Sequence, residues 1–200
     1  MSPPANIGLY GGSFDPVHHG HLLLARDAVE QLGLAHLVFI PAAISPHKLT
    51  RAPGAPGDQR LQMLQAAIAG EPRFSVDPCE LHRAGPSYTI DTIHALRAGH
   101  PPGTNFFYLI GEDNVAALHT WHRIDELRAL VRFVVCRRHA PNLPSTTPTD
   151  CPVLTRWVDI SSTEIRNRVA SGRSIRYLVP EGVAAIINAQ SLYRPTIQGD

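Results

Sequence analysis

GGSFDPVHHGH, residues Gly11 to His21, stands between the short apolar run Ile7–Tyr10 and an apolar-periodic segment that starts at Leu22. A strand, a glycine loop and a helix in this order predict a phosphate site, because paired glycines let the backbone approach a ligand and a helix N-terminus attracts anions. The loop supplies four candidate contacts to such a ligand: Gly11, Gly12, Ser13 and Phe14.

Two histidines, His18 and His21, lie three residues apart across the start of the predicted helix near Gly20. This spacing lets both imidazoles face one phosphate group, which favours phosphoryl chemistry. A tight turn followed by surface histidines is the alternative interpretation, but the strand, the helix and the Asp15-Pro16 turn all accompany the motif. The segment is neither a Walker loop nor GxGxxG, so it indicates another class of nucleotide site.

The composition restricts the class of protein. A chain of 200 residues with 44% hydrophobic residues can bury one core, so we expect a single domain over residues 1–200. The formal net charge of +1 disfavours a dedicated nucleic-acid binder, whose domain is usually strongly basic. Three cysteines without CxxC spacing indicate neither a disulfide framework nor a zinc site. With no apolar run of membrane-spanning length and no leader pattern at its start, the sequence predicts a cytoplasmic protein without membrane contacts.

Short apolar runs alternate with helical periodicity along the chain, which predicts βαβα order. Four runs have strand length: Ile7–Tyr10, Leu37–Ile40, Phe106–Ile110 and Phe133–Cys136. Five segments have helical periodicity: Leu22–Leu32, Leu61–Ile68, Tyr88–Leu96, Ile124–Leu130 and Glu164–Val169. Continuous apolar strands are typical of parallel sheets. We therefore expect an α/β fold, Rossmann-like, with a doubly wound, mostly parallel sheet, helices on both faces and ligands over the carboxyl ends of the strands.

Two segments rich in proline are interpreted as loops. Ala42–Gly57 contains Lys48, for which the neighbouring phosphate motif favours a phosphate contact over an ordinary solvated lysine. A mobile lid is a second interpretation of this segment. Pro141–Pro152 is interpreted as a simple connector.

A run of hydroxyl side chains precedes a predicted helix in the sequence ISSTEIR, residues 160–166. Ser162 or Thr163 can cap this helix, with Glu164 favourable in its first turn. Capping does not account for Arg166, one turn into the helix. Hydroxyl donors, a helix N-terminus and a guanidinium together favour a polyphosphate cradle, with four candidate residues: Ser161, Ser162, Thr163 and Arg166. Two phosphate sites in one chain predict a nucleoside triphosphate as ligand.

Taken in order, GGSFDPVHHGH, PHK, GPSYTIDT, GED, TWH and ISSTEIR closely resemble the motifs of the bacterial nicotinate-nucleotide adenylyltransferase family over nearly the whole chain. The HxGH and ISSTxxR pair alone also resembles the wider nucleotidyltransferase superfamily, which includes phosphopantetheine adenylyltransferase. The resemblance implies a pyridine-ring pocket formed by Ser87, Tyr88, Thr89, Trp121 and His122. It further implies substrate contacts at Gly111, Asp113 and Arg138, with Arg137 as the alternative to Arg138. Glu112 and Ile186 depart from the family pattern.

The implied reaction is adenylyl transfer from ATP to nicotinate mononucleotide, which yields nicotinate adenine dinucleotide and pyrophosphate in NAD biosynthesis. The resemblance implies that His18 and His21 contact the α-phosphate and that Lys48 and Arg166 hold the β and γ phosphates. It also implies Mg²⁺ bound mainly through the ATP phosphates, without a metal site of the protein's own. Three alternatives stay open: another adenylyltransferase, a non-enzymatic nucleotide sensor and a nucleic-acid-binding module. Oligomerisation is compatible with all of them.

Overall fold

The computed structural model describes residues 5–43, 54–137 and 151–195. Within these ranges the chain forms a six-stranded sheet in the order β3-β2-β1-β4-β5-β6, in which every neighbouring pair is parallel. This is a doubly wound order, so the expected α/β fold is confirmed. The strands are β1 (Asn6–Gly12), β2 (His36–Pro41), β3 (Phe74–Val76), β4 (Asn105–Gly111), β5 (Arg132–Arg137) and β6 (Val153–Thr155).

The helices follow the predicted alternation. They are α1 (His19–Gln31), α2 (Gly57–Ile68), α3 (Thr89–Ala98), α4 (Ile124–Leu130), α5 (Ser162–Ala170) and α6 (Glu181–Ala189). Five of these cover the five segments with helical periodicity, whereas α6 was not predicted. None of the helices that the structure describes is both long and apolar enough to cross a lipid bilayer.

Each strand sends alternate side chains to opposite faces of the sheet, because successive residues of a strand point in opposite directions. In β1, Tyr10 joins a core cluster that also contains buried residues of α1, α2, α5 and α6. Its neighbours Ile7 and Leu9 join a second cluster with buried residues of α3 and α4. The helices therefore cover both faces, and the central strands β1 and β4 are buried between the two layers.

The chain changes faces between β1 and β4. Helices α1 and α2 connect strands on one side of β1, and α3 and α4 lie on the other face of the sheet. In doubly wound sheets the crevice at this switch point, outside the carboxyl ends of the strands, is the usual ligand site. The glycine loop begins with Gly11 and Gly12, the last two residues of β1, and continues beyond the strand at this edge of the sheet.

Candidate active site

The glycine loop is packed tightly from below. Phe14 adopts a positive φ of 46°, and its side chain is only 2% exposed. Its ring makes edge contacts with the rings of Tyr10, Phe39 and His21, with centroids 5.1–5.6 Å apart. The Phe14 side chain therefore belongs to the core, which leaves its backbone for the predicted substrate contact.

The structure brings His18 and His21 together at the start of α1. Their ring centroids are 3.7 Å apart and the ring planes are inclined by 30°. The backbone N–H of His18 donates to Nδ1 of His21 over 3.3 Å. This bond requires a lone pair on Nδ1, so the proton of the neutral His21 ring resides on Nε2. The first N–H of α1, that of His19, donates to the carbonyl of Leu178 and not towards the loop.

A cleft that is partly open to solvent lies over the carboxyl ends of β1 and β4. It contains nine of the predicted substrate contacts: Gly11, Gly12, Ser13, Ser87, Tyr88, Thr89, Gly111, Trp121 and His122. Helix α3 begins at Thr89, so its first N–H groups, which have no partner within the helix, lie at this cleft. The Tyr88 and His122 rings lie against each other, with centroids 4.6 Å apart.

Tyr108 connects the glycine loop to the predicted ring pocket, and no motif pointed to this residue because it lies inside the apolar run of a strand. Its ring is buried and makes edge contacts with Trp121 and Phe133, both with centroids about 6 Å away. Its hydroxyl interacts with the side chain of Thr89. Burial raises the pKa of Tyr108, so this hydroxyl stays protonated. The hydroxyl also fills the space in which a Cβ on Gly11 would lie.

A buried carboxyl group, Glu80, also lines the cleft. Its Oε1 accepts a hydrogen bond from the Thr92 hydroxyl over 2.8 Å, and Arg83 donates to that same hydroxyl over 3.1 Å. Burial raises the pKa of Glu80, although hydrogen bonds from Thr92 and Ser87 and the charge of Arg83 oppose the rise. The group holds the first turn of α3 against the wall of the cleft.

The ISSTEIR segment is attached to the glycine loop. The Ser161 hydroxyl caps α5 by accepting the N–H of Glu164, so the cap expected at Ser162 or Thr163 lies one or two residues earlier. The Ser162 hydroxyl donates to the carbonyl of Pro16 over 2.9 Å. Arg166 donates through Nη1 to the carbonyl of Asp15 over 2.6 Å and through Nη2 to the Thr163 hydroxyl over 3.1 Å. The two predicted phosphate motifs thus form one structure.

Below the loop lies a second arginine that sequence reasoning missed. Arg60 is only 2% exposed, and it donates to the carbonyls of Ser13 and Ala55 over 2.7 and 3.2 Å. Burial lowers its pKa, and the opposite charge of Asp15 counteracts this effect. A buried cation below the loop adds to the positive potential at a predicted phosphate site.

At the end of β4, Glu112 binds Arg137, with Oε1 accepting from Nε and Nη2 over 2.9 and 2.8 Å. The first departure from the family pattern is therefore an ion pair across β4 and β5. Asp113 is exposed and accepts from the Asn114 side chain, and its carboxylate fills the space beside Gly111. The second departure, Ile186 in α6, is partly buried and packs against the core cluster that contains Tyr10. Lys48 and Arg138, both predicted contacts, lie outside the described residues.

The fold and the paired phosphate motifs define a nucleotidyltransferase, and a family model described as cytidylyltransferase-like matches residues 9–168. A probable nicotinate-nucleotide adenylyltransferase of Geobacillus thermodenitrificans is 47% identical over 94% of this chain and 85% of that one. One of Lactiplantibacillus plantarum is 43% identical over 96% of this chain and 89% of that one. The chain belongs to the nicotinate-nucleotide adenylyltransferase family.

Among solved structures, the same fold occurs in the Plasmodium falciparum nicotinic acid mononucleotide adenylyltransferase complexed with NaAD. The TM-score is 0.75 at 19% identity, and the alignment covers 94% of this chain and 97% of that one. At this level of identity the likeness concerns the fold, and it agrees with the doubly wound sheet described above.

Proposed function

We propose that this protein transfers the adenylyl group of ATP to nicotinate mononucleotide, with nicotinate adenine dinucleotide and pyrophosphate as products. The observation that carries the proposal is a single cleft in which the glycine loop, the start of α3 and Trp121 meet. Such a cleft can hold a phosphate and a pyridine ring side by side. The names of the relatives support the substrate, and the Plasmodium falciparum protein of the same fold was solved with NaAD.

In the proposed reaction a phosphate oxygen of nicotinate mononucleotide attacks the α-phosphorus of ATP in line. The bond from the α-phosphorus to the oxygen that bridges to the β-phosphorus breaks, and pyrophosphate leaves. A phosphate monoester is already a nucleophile near neutral pH, so the protein's task is to align two polyanions and stabilise the developing charge. The Nε2–H of His21, left as a donor by the bond to Nδ1, would donate to an α-phosphate oxygen.

The residues of the site fit a Mg²⁺ ion that ATP brings with it. The carboxylate of Asp15, which belongs to the glycine loop, already accepts from two backbone N–H groups and the Tyr193 hydroxyl. The other side-chain groups described around the loop are imidazole, hydroxyl and guanidinium groups, whereas Mg²⁺ prefers phosphate, carboxylate and water oxygens. When bound, the ion would neutralise phosphate charge in the transition state.

We also propose that the chain forms one nucleotidyltransferase domain. The family match ends at residue 168, within α5. The remaining helix, α6, packs against α2. It contributes Val183 and Ile187 to the core cluster that contains Tyr10. A helix that shares this core belongs to the same folding unit.

We expect the first N–H groups of α3 to make the protein prefer nicotinate mononucleotide over nicotinamide mononucleotide. The carboxylate of nicotinate accepts hydrogen bonds from these N–H groups and is favoured by the positive end of the helix. The NH₂ of nicotinamide mononucleotide is itself a donor, so it could not bond to the N–H group that it faces. The loss of such a charge-assisted bond lowers kcat/KM by about a hundredfold. The assay measures pyrophosphate release from ATP and Mg²⁺ with either mononucleotide.

Trp121→Ala is the matched variant for this assay. Ring contact is common to both mononucleotides, so the variant should lower kcat/KM for both and leave their ratio largely intact. Comparable kcat/KM values for the two mononucleotides in the unmutated protein would contradict the assignment of the pocket. Binding of ATP without any pyrophosphate release would instead favour the nucleotide sensor, and turnover of phosphopantetheine would favour the other adenylyltransferase.

A further inference from the structure

Asp15 joins parts of the chain that are far apart in sequence. The residue is 5% exposed. Its carboxylate accepts hydrogen bonds from the N–H groups of Gly54 and Ala55 over 2.6 and 3.0 Å. It also accepts the hydroxyl of Tyr193 over 2.8 Å. Nη1 of Arg166 lies 3.5 Å from Oδ2 and donates to the carbonyl of the same residue. One residue of the glycine loop thus binds the start of α2, helix α5 and the C-terminal segment.

The charges around Asp15 explain why a carboxylate can be buried there. An ionised carboxylate out of water is costly unless it is paired and hydrogen-bonded. Two guanidinium groups, Arg60 and Arg166, attract it, and three hydrogen bonds satisfy its oxygens. With two cations and one anion, the group has a net charge of +1. Asp15 therefore reduces the positive charge at a site that is proposed to bind phosphates.

A carboxylate that lowers the positive potential must serve in another way. We propose that Asp15 is the positioning residue of the phosphate site and that it acts by holding the Arg166 guanidinium beside the glycine loop. This inference rests on the proposed adenylyl transfer. Both the backbone carbonyl and the carboxylate of Asp15 face Nη1 of Arg166, so the side chain is held from two directions at the loop that carries His18 and His21. A guanidinium fixed in advance loses less freedom when it binds phosphate.

Asp15→Asn tests this role because it keeps the shape and removes the charge. At the Oδ2 position the new NH₂ group would face two donors, the N–H of Gly54 and Nη1 of Arg166, and at the Oδ1 position it would face the N–H of Ala55. In either orientation the negative charge that attracts the Arg166 guanidinium is lost. We expect kcat/KM for ATP to fall about 30-fold with Arg166 present and less than about 3-fold in an Arg166→Ala background, a coupling typical of residues in one network. Tyr193→Phe, which removes one donor to the carboxylate, should show the same dependence on Arg166 to a smaller extent.

Asp27→Asn is the control. Asp27 is also buried and also binds an arginine, because Nε and Nη2 of Arg156 donate to its carboxylate, but it lies in α1 away from the loop. Its replacement should lower the midpoint of thermal unfolding without the coupling to Arg166. If Asp15→Asn does not fold, the proposal is tested by Tyr193→Phe alone, measured with Arg166 present and in the Arg166→Ala background.

Two results would overturn the proposal. An equal fold-change in both backgrounds would show that Asp15 only stabilises the loop. Tighter ATP binding with unchanged kcat would show that it acts only through its charge. Failure of the unmutated protein to release pyrophosphate contradicts the proposed function instead, and it is measured before any variant is made.

Discussion

Gly11→Ala should destabilise the protein because the new Cβ would clash with the hydroxyl oxygen of Tyr108. A Cβ on Gly11 would lie closer than 3.0 Å to the Tyr108 hydroxyl, a separation that real Cβ atoms essentially never show, and 3.2 Å from Cζ. The Tyr108 ring cannot easily retreat, because Trp121 and Phe133 contact it and it is 6% exposed. Overpacking of this kind costs about 1–3 kcal/mol, and the strained hydroxyl bond to Thr89 adds about 1 kcal/mol.

The expected loss in the free energy of unfolding is therefore about 2–4 kcal/mol, which urea unfolding can measure. For a chain of this length, each kcal/mol lost lowers Tm by about 2–4 °C. Tyr108→Phe removes the offending oxygen and leaves Cζ at a tight but tolerable distance, so Gly11→Ala should cost less than about 1 kcal/mol in that background. Gly99→Ala is the control, since its Cβ would meet only the Leu96 carbonyl, at 3.6 Å. Additive costs for Gly11→Ala and Tyr108→Phe would refute the steric reasoning.

Two further variants address the chemistry and the buried carboxyl group. His21→Ala should lower kcat about a hundredfold while the ATP Kd measured by calorimetry changes little, because a donor to the α-phosphate matters most in the transition state; unchanged kcat would remove His21 from the mechanism. Burial raises the folded-state pKa of Glu80 above its ordinary value of 4.5, so the folded state binds more protons and stability falls as the pH rises through that window. Glu80→Gln cannot ionise, and urea unfolding at several pH values should show it gaining stability relative to the unmutated protein across the same window. A constant difference would mean that Glu80 ionises normally.

Local patterns predicted the parts of the fold that local interactions determine. Glycines after an apolar run and apolar periodicity after Leu22 indicate β1 and α1 directly, because strand and helix periods are properties of neighbouring residues. Strands β3 and β6 escaped prediction because each has three residues, too few for any period. They form because β2 and β5 offer them hydrogen-bonding edges.

In the candidate site, too, sequence reasoning missed the roles that depend on residues distant in sequence. Sequence reasoning interpreted Asp15 as a turn former, since its partners at Gly54, Arg166 and Tyr193 are 39 to 178 residues away. Arg60 was overlooked because an arginine on an amphipathic helix ordinarily faces solvent. Phe14 was counted with the glycines as a substrate contact, and its buried ring follows from contacts that no short motif encodes.

The position of the cleft explains why so few motifs sufficed to predict its lining. Parallel strands align their carboxyl ends at one edge of the sheet, and the winding reverses between β1 and β4, so the loops after these two strands open away from each other. Residues at the carboxyl end of either strand then face the same crevice whatever their separation in sequence, as Gly12 and Gly111 do. Side chains within the strands carry the connection between the two halves of the crevice. Tyr108 does so physically, since its hydroxyl touches the space above Gly11 while its ring contacts Trp121. The packing of this one side chain therefore links the position of the Gly11 backbone to that of the Trp121 ring.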